Sequence, residues 1–255
     1  MKLTTRLRNR YIFRGLDIVH SNLNHGDAVA GFREFGLVFN RIKKAGNSTV
    51  VAFLSDLAAE ERGRRALSVR DAKKSALKPS RCRWHEARSM RSYIWFTVVR
   101  NPYDRVLSAF LDKVAFDEEV TASGKKPFQD VPGRGEATPE GFAKFIGFLG
   151  EGGIHHDRHF WPQRELLIMP PGRYDLIGRL ETLPEDMARL LTMIGRDPAS
   201  ARKLDKPHPL ELAQPKKITG ASAKRDSFYT HQLAAEVRRL YASDFETFGY
   251  PREMC

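Results

Sequence analysis

Cysteine is scarce in this chain, which has only Cys82 and Cys255 among its 255 residues and no Cys-x-x-Cys pair. Two cysteines are too few for a disulfide framework, so the composition favours a reducing compartment. Long hydrophobic runs are missing as well, since no stretch approaches the ~18 uninterrupted apolar residues of a membrane span. The basic first residues are not followed by the apolar region of a secretory signal. We therefore expect a cytoplasmic protein without stable membrane insertion.

Acidic residues are scarce in one segment, residues 62–91, which we call the basic segment. Eleven lysines and arginines in it are opposed only by Asp71 and Glu86, so it carries most of the chain's net charge of +12. A charge run of this kind is usually a solvated face. Its positive field would also suit an anionic polymer or a phosphate-rich ligand, and composition does not choose among these.

The chain does contain a regular alternation of strand and helix patterns. With 41% hydrophobic residues it can bury a core. We expect a single domain over residues 1–255, with an N-terminal extension at 1–34 and a mobile loop at 121–139. The predicted strands cover 36–42, 93–99 and 174–178, and the predicted helices cover 49–59, 102–116, 139–149, 182–194 and 228–241. This order predicts an α/β fold of three layers, α/β/α, with a mostly parallel sheet. Thr182 and Glu185 form a predicted capping box.

The first candidate site is the turn between the first predicted strand and its helix. A strand, a small flexible turn and a helix N-terminus present backbone N–H groups and a partial positive charge, which together bind phosphate. Lys44 adds a mobile charge, and the hydroxyls of Ser48 and Thr49 add donors. The turn is not a Walker A loop, and an ordinary helix start is an equal alternative. The candidate binding residues are Lys43, Lys44, Ala45, Gly46, Asn47, Ser48 and Thr49.

The second candidate site begins where the second predicted strand ends. Arg100 lies at the carboxyl end of this strand, where ligands bind in open α/β sheets, and the Asn-Pro pair after it suits a helix start. Arg105 and Ser108 are three residues apart and lie on the same side of the helix. A guanidinium, a hydroxyl and a helix N-terminus would then converge on a phosphate. Alternatively, Arg105 pairs with Asp104 or Glu118 on the surface and Ser108 only packs.

Both turns resemble motifs of the carbohydrate sulfotransferases, the family of the chondroitin 4-O- and HNK-1-type enzymes and their bacterial relatives. Residues 42–49 (IKKAGNST) resemble its 5′-phosphosulfate motif, and residues 99–110 (VRNPYDRVLSAF) resemble its 3′-phosphate motif almost without a gap. The likeness continues in residues 174–183 and 240–250, and covers most of the chain from residue 35. The resemblance implies a P-loop-like fold and a sulfotransferase that uses 3′-phosphoadenosine 5′-phosphosulfate (PAPS) as co-substrate, without a metal.

The resemblance also implies roles for single residues. It implies contacts to the 5′-phosphosulfate from Lys44, Ser48 and Thr49, and contacts to the 3′-phosphate from Arg100 and Ser108. Lys44 could also stabilise charge on the bridging oxygen during transfer. The implied acceptor is a hydroxyl of a glycan, and the basic segment would suit an acidic one.

One position departs from the family pattern. Lys43 stands where the family has a proline, so the turn loses some preset backbone geometry and gains a second cation.

The acceptor hydroxyl needs a base, and histidine is the natural residue near neutral pH. The family's His-Trp dipeptide has its nearest match at residues 159–161, which makes His159 the predicted base and His156 the second candidate. The spacing of His155 and His159 would also suit a metal, but the glutamate of an HExxH motif and a third ligand are missing. Packing or capping explains any single histidine about as well as catalysis does.

Lys224 and Arg225 precede the last predicted helix, within a Pro-, Lys- and Ser-rich stretch at 198–226 that is predicted to lie on the surface. They could cover the phosphates of the cofactor, but plain surface charges are the somewhat better explanation.

Two other functions compete with sulfonate transfer. A non-catalytic protein that binds polyanions or nucleic acid would explain the basic segment but not the pairing of Arg100 with Ser108. The chain has no zinc-finger, RRM or homeodomain pattern, and we expect no nucleic-acid partner. A nucleotide-dependent kinase is disfavoured by the missing Walker A lysine and by the lack of a clear metal-binding aspartate.

Overall fold

A computed structural model describes residues 28–65, 67–77, 83–116, 128–205 and 219–254, without the side chains of residues 69, 70, 84 and 87. The chain forms two compact units. The first comprises Met1–Val99 and Glu165–Leu212, and the second comprises Arg100–Arg164 and Ala213–Cys255. The prediction of a single domain over residues 1–255 stays a prediction.

The described part of the chain contains short strands and many helices. The strands are β1 Val29–Phe32, β2 Leu37–Asn40, β3 Ile94–Val99 and β4 Leu176–Arg179. The α-helices are α1 Asn47–Glu61, α2 Val69–Ser75, α3 Trp84–Met90, α4 Pro102–Phe110, α5 Pro139–Gly150, α6 Gln163–Leu166, α7 Leu183–Met193, α8 Ala221–Phe228, α9 His231–Leu240 and α10 Ala242–Phe248. Short 3-10 helices cover Arg33–Phe35, Gly153–His155, Pro171–Arg173, Leu180–Thr182 and Pro198–Asp205.

All four strands belong to the first unit and form one sheet in the order β1-β2-β3-β4. β1 pairs antiparallel with β2, whereas β2 with β3 and β3 with β4 are parallel. The predicted α/β class with a mostly parallel sheet is confirmed. β1 was not predicted, because all four of its residues are buried and show no alternation. It falls inside the predicted N-terminal extension, of which residues 1–27 lie outside the described residues.

Both faces of the central strands are buried, as the predicted three-layer architecture requires. On one face Phe39 stacks on Phe96 with ring centroids 4.8 Å apart, and these rings join a core with residues of α1 and α7. On the other face, Trp95 and Thr97 of β3 are also buried. Burial on both faces explains why β3 is almost continuously apolar in sequence instead of alternating.

The second unit has a core of aromatic rings. Phe110 of α4 lies 5.3 Å from Phe142 and 5.5 Å from Phe145 of α5, measured between ring centroids. Phe142 also contacts Phe228 and Tyr229 at the end of α8. The apolar face predicted for residues 139–149 is therefore the buried face of α5.

Two predicted helices differ from those of the structure. The helix predicted over 102–116 is α-helical only to Phe110 and continues as a π-helix over Leu111–Ala115. The helix predicted over 228–241 is confirmed over His231–Leu240, but its first residues are not part of it. Its start belongs to α8, and Thr230 then begins α9 by accepting a hydrogen bond from the N–H of Leu233. A threonine cap of this kind favours a new helix start over continuation of the previous helix.

The predicted capping box at Thr182 is also wrong. The Thr182 side chain accepts no hydrogen bond from the helix and instead donates to the Asp186 carboxylate at 3.0 Å. Asp186 is buried and also accepts the N–H of Arg179 at 2.6 Å. A buried carboxylate needs several hydrogen-bond donors. The Thr182 hydroxyl is one of the donors to Asp186, so it does not cap the helix.

Of the predicted mobile loop, residues 121–127 lie outside the described residues. Residues 128–138 form a series of turns in which Val131 is buried.

The buried end of β2 carries a polar network centred on Asn40. Its Nδ2 donates to the carbonyl oxygens of Ala28 at 3.2 Å and Leu166 at 3.4 Å. Its Oδ1 accepts from the N–H of Ile168 at 3.1 Å and from the Tyr174 hydroxyl. Burial raises the pKa of the Tyr174 phenol, so this hydroxyl keeps its proton and remains a donor. The network ties β2 to Ala28 and to the chain between the end of α6 and the start of β4.

Replacing Asn40 with leucine should destabilise the protein, because it removes four hydrogen bonds and leaves buried partners poorly paired. We expect the free energy of unfolding in urea to fall by about 2–4 kcal/mol. Tyr174→Phe removes one donor and should cost only about 1–2 kcal/mol. Equal stability of Asn40→Leu and the unchanged protein would contradict a structural role for this network.

Candidate functional site

The first candidate turn follows β2 and contains two residues with left-handed backbone. Lys44 has a φ of 66° and Gly46 a φ of 68°, a region that non-glycine residues rarely occupy. The backbone angle favours glycine at position 46, and a Cβ atom there would also push against Leu180 Cδ1 at 2.8 Å. Gly46 is the N-cap of α1. A lysine held at positive φ stores strain that is typical of functional turns.

The first residues of α1 are contacted by two basic side chains. Arg41 is buried and donates from Nε to Asn47 Oδ1 at 2.8 Å. Lys73 of α2 donates from Nζ to Ser48 Oγ at 2.5 Å. Of the remaining predicted residues, Ala45 is buried, whereas Lys43, Lys44 and Thr49 are half-buried. The structure thus adds two cations to the pair of lysines that the sequence indicated.

The second candidate turn begins directly after β3 and has the predicted helix start. Asn101 Oδ1 accepts the N–H of Tyr103 at 3.0 Å, and Pro102 is the first residue of α4. The side-chain amide of Gln163 forms hydrogen bonds with both backbone groups of Arg100. The N–H of Arg100 donates to Gln163 Oε1 at 2.9 Å, and the carbonyl of Arg100 accepts from Gln163 Nε2 at 2.8 Å. The Arg100 backbone is therefore positioned independently of its guanidinium.

Arg105 is not on the surface, where the alternative interpretation of the sequence placed it. Its side chain is buried, and Nη1 donates to the backbone carbonyl of Trp161 at 2.8 Å. Burial lowers the pKa of the Arg105 guanidinium, and the charge of Asp244 opposes that shift. Arg105 therefore holds the chain at Trp161, and its predicted surface position is wrong, whereas its predicted contact with a phosphate stays a prediction. The alternative partner Glu118 lies outside the described residues.

Asp244 of α10 holds the chain just after Trp161. Its carboxylate accepts the N–H groups of Gln163 at 2.8 Å and Arg164 at 2.8 Å, which begin α6. Burial raises the pKa of the Asp244 carboxyl, while the charge of Arg105 and the hydrogen bonds oppose the shift. The segment that carries the predicted base is thus fastened to the start of α4.

Arg100 and Ser108 contact the same short segment, residues 219–222. Arg100 Nη2 lies 3.2 Å from Ser222 Oγ, and Ser108 Oγ lies 3.1 Å from Thr219 Oγ1. Ser222 in turn donates to Asp104 Oδ2 at 2.9 Å. The two residues that the sequence assigned to one phosphate are therefore brought to one place, beside the first turn of α8. A guanidinium, three hydroxyls and a helix N-terminus together suit a phosphate group.

The segment around Lys224 and Arg225 is helical, not the surface loop predicted over 198–226. Both residues lie in α8, where Lys224 is exposed and Arg225 is half-buried with Nη1 4.0 Å from Asp104 Oδ1. Residues 206–218 lie outside the described residues. The predicted contact of these two cations with the cofactor stays a prediction.

His159 is paired with a carboxylate. Its Nδ1 lies 2.5 Å from Asp157 Oδ1, and the same oxygen accepts the N–H of His159 at 2.8 Å. An ionised carboxylate only accepts hydrogen bonds, so Nδ1 carries a proton and Nε2 is the nitrogen left to accept one. About a fifth of the His159 side chain, 21%, is exposed. This is the arrangement that a general base requires.

His156 has different surroundings. His156 is exposed, and its ring has three aromatic neighbours, with centroids 5.6 Å from Phe148, 6.4 Å from Phe128 and 6.5 Å from Phe160. His155 packs edge-on against Trp161, whose Nε1 donates to the His155 carbonyl at 3.0 Å. The geometry thus favours His159 over the second candidate.

Among the described residues, no three histidine, cysteine or acidic side chains lie close enough together to hold a metal ion. None of the helices in the described part of the chain is long and apolar enough to cross a membrane.

Several functional candidates were missed in the sequence. Thr219 and Ser222 face the predicted phosphate residues, Lys73 reaches Ser48, and Asp157 orients His159. Only Asp157 had a local signal, because it stands two residues before the predicted base. Lys73, Thr219 and Ser222 are separated from their partners by between 25 and 122 residues. No local sequence pattern predicts contacts over such distances.

Comparison with known proteins gives a consistent result. A family model described as "Sulfotransferase family" matches residues 31–251. Carbohydrate sulfotransferase 12 of Xenopus laevis is 27% identical over 183 residues, which cover 64% of this chain and 41% of the relative. The Mus musculus protein of the same name is 29% identical over 187 residues, with the same shares. Carbohydrate sulfotransferase 10 of Gallus gallus is 27% identical over 177 residues, 62% of this chain and 47% of the relative.

The matched region spans less than half the length of these curated relatives. No solved structure matches the chain significantly. Nothing in the comparisons supports a non-catalytic protein that binds polyanions.

Proposed function

Since this chain belongs to the sulfotransferase family, we propose that it transfers a sulfonate group from PAPS to a hydroxyl of a carbohydrate. The matched relatives are named carbohydrate sulfotransferases, which supports a glycan as the acceptor. The family match covers both candidate turns and the histidine segment.

One observation carries the proposal. The family resemblance assigns Arg100 and Ser108 to the 3′-phosphate. Both contact residues 219–222, at the start of α8. A 3′-phosphate distinguishes PAPS from ATP. The assignment of these two residues to a 3′-phosphate therefore supports PAPS as the donor over a nucleoside triphosphate.

The proposed chemistry follows from the roles that the family resemblance gives to single residues. The acceptor oxygen attacks the sulfur atom, and a new oxygen–sulfur bond forms as the bond from sulfur to the bridging oxygen of the 5′-phosphate breaks. The hydroxyl proton passes to Nε2 of His159, whose other nitrogen Asp157 holds. The electron pair of the broken bond stays on the 5′-phosphate, where Lys44 stabilises the charge that develops.

The basic segment provides a surface for an acidic acceptor. A shallow cavity of about 500 Å³ in the first unit is lined by basic side chains that include Lys74, Arg83 and His85. Its one acidic residue, Glu86, pairs with Arg33. A surface of this sign attracts uronic acids or sulfated sugars and repels cationic ligands. We therefore propose acidic oligosaccharides as the acceptor class to test first.

The proposal is tested by nucleotide binding and by transfer. Adenosine 3′,5′-bisphosphate should raise the melting temperature of the protein while ATP does not, and incubation with PAPS should add the mass of one sulfonate to acidic oligosaccharides. Arg100→Ala should weaken bisphosphate binding roughly a hundredfold without unfolding the protein, because Gln163 holds the Arg100 backbone.

Arg239→Ala is the matched control, because Arg239 is an exposed arginine whose partner is Glu236 on the same helix. It should leave bisphosphate binding unchanged. Stabilisation by ATP or duplex DNA but not by the bisphosphate would contradict the proposed function.

A further inference from the structure

One residue of the basic segment, Lys73, points into the first candidate turn. Two contacts hold α2 on either side of this lysine. Ala72 is buried in the core of the first unit, and Leu77, just after the helix, exchanges two backbone hydrogen bonds of 2.7 and 2.9 Å with Gly31 of β1. These anchors present the Lys73 ammonium to Ser48 Oγ at 2.5 Å, in a partly buried contact between residues 25 positions apart.

The chemistry of this contact sets the direction of the Ser48 hydroxyl. An ammonium group has donors and no acceptor, so Ser48 Oγ must accept from Lys73. The hydroxyl proton of Ser48 is then available to donate to another group. A hydroxyl that accepts from a cation is polarised and becomes a stronger donor itself. Ser48 lies in the first turn of α1, where the partial positive charge of the helix adds to that of Lys73.

We propose that Lys73 is a positioning residue for the donor nucleotide. It turns the Ser48 hydroxyl toward the phosphosulfate group, and its charge acts on the donor through that hydroxyl. This inference rests on the proposed function and deepens it, because it gives a residue outside both sequence motifs a role in donor binding. It also assigns one lysine of the basic segment to the nucleotide instead of the solvent or the acceptor.

Substitution of Lys73 by methionine keeps the length of the side chain and removes the charge. We expect the KM for PAPS and the Kd for adenosine 3′,5′-bisphosphate to rise roughly ten- to a hundredfold, as for loss of a hydrogen bond to a charged group. The KM for the oligosaccharide should change by less than about twofold. Lys73→Arg, which keeps the charge and the donors, should recover part of the affinity for PAPS.

The matched control is Lys203→Met, because Lys203 is an exposed lysine of the same unit whose ammonium contacts Glu60 at 2.6 Å. It should leave the affinity for PAPS unchanged. Lys73→Gln provides a second neutral variant if the methionine variant unfolds.

A double substitution separates positioning from a general loss of charge. If Lys73 acts through Ser48, Lys73→Met in a Ser48→Ala background should add little to the effect of Ser48→Ala alone. Fully additive effects, or an unchanged KM for PAPS in Lys73→Met, would overturn the inference while the proposed function stands. Failure of the unsubstituted protein to bind the bisphosphate or to transfer sulfonate would instead overturn the proposed function.

Discussion

Replacing His159 with glutamine should lower kcat for sulfonate transfer by roughly a hundredfold to ten-thousandfold. Asp157 holds Nδ1, so Nε2 of His159 is the atom that can take the proton of the acceptor hydroxyl. Glutamine has a similar size but cannot act as a base. Binding of adenosine 3′,5′-bisphosphate should persist, because this ligand lacks the acceptor and the sulfonate. The measurements are steady-state kinetics with PAPS and a titration with the bisphosphate.

His156→Gln is the control for this prediction, since it removes a histidine only three residues away. The His156 ring has Phe128, Phe148 and Phe160 as neighbours. We expect kcat of His156→Gln to change by less than about fivefold. Asp157→Asn should also lower kcat, because the amide can stabilise the wrong tautomer of His159. A large loss in His156→Gln together with near-normal turnover in His159→Gln would assign the base to His156 instead.

Replacing Lys44 with alanine should lower kcat by roughly a hundredfold to a thousandfold, as for loss of a group that stabilises charge in the transition state. The bisphosphate lacks the sulfonate and the bridging oxygen, so its Kd should change much less than kcat. Comparing the two quantities for one variant shows whether Lys44 acts on the reaction or only on binding.

The backbone at Lys44 calls for a second variant. Lys44 has a φ of 66°, which glycine adopts more easily than alanine. If loss of the Lys44 ammonium causes the slower reaction, kcat should fall by the same factor in Lys44→Gly and Lys44→Ala. Lys43→Ala removes the neighbouring charge and should have the smaller effect on kcat. A loss confined to Lys44→Ala would assign the effect to backbone strain and contradict a role for the charge.

The local features of the fold could be predicted because neighbouring residues cause them. Asn101 and Pro102 begin α4 by their own capping and backbone chemistry, and the continuous apolar run of β3 follows from burial on both faces. The antiparallel strand β1 escaped prediction because four buried residues have no periodicity to detect. The break between α8 and α9 escaped prediction because helical spacing continues across it, although Thr230 ends one run and begins the next.

The sequence by itself determined the class of the fold, the family and the two turns, since each depends on residues close together in the chain. Tertiary structure decided which distant side chains contact the residues of those turns. It buried Arg105 against the Trp161 carbonyl, 56 residues away in sequence. It also placed Thr219 beside Ser108, 111 residues away in sequence, and Lys73 beside Ser48. Contacts at such separations depend on how helices and strands pack, and that packing leaves no pattern within a short stretch of sequence.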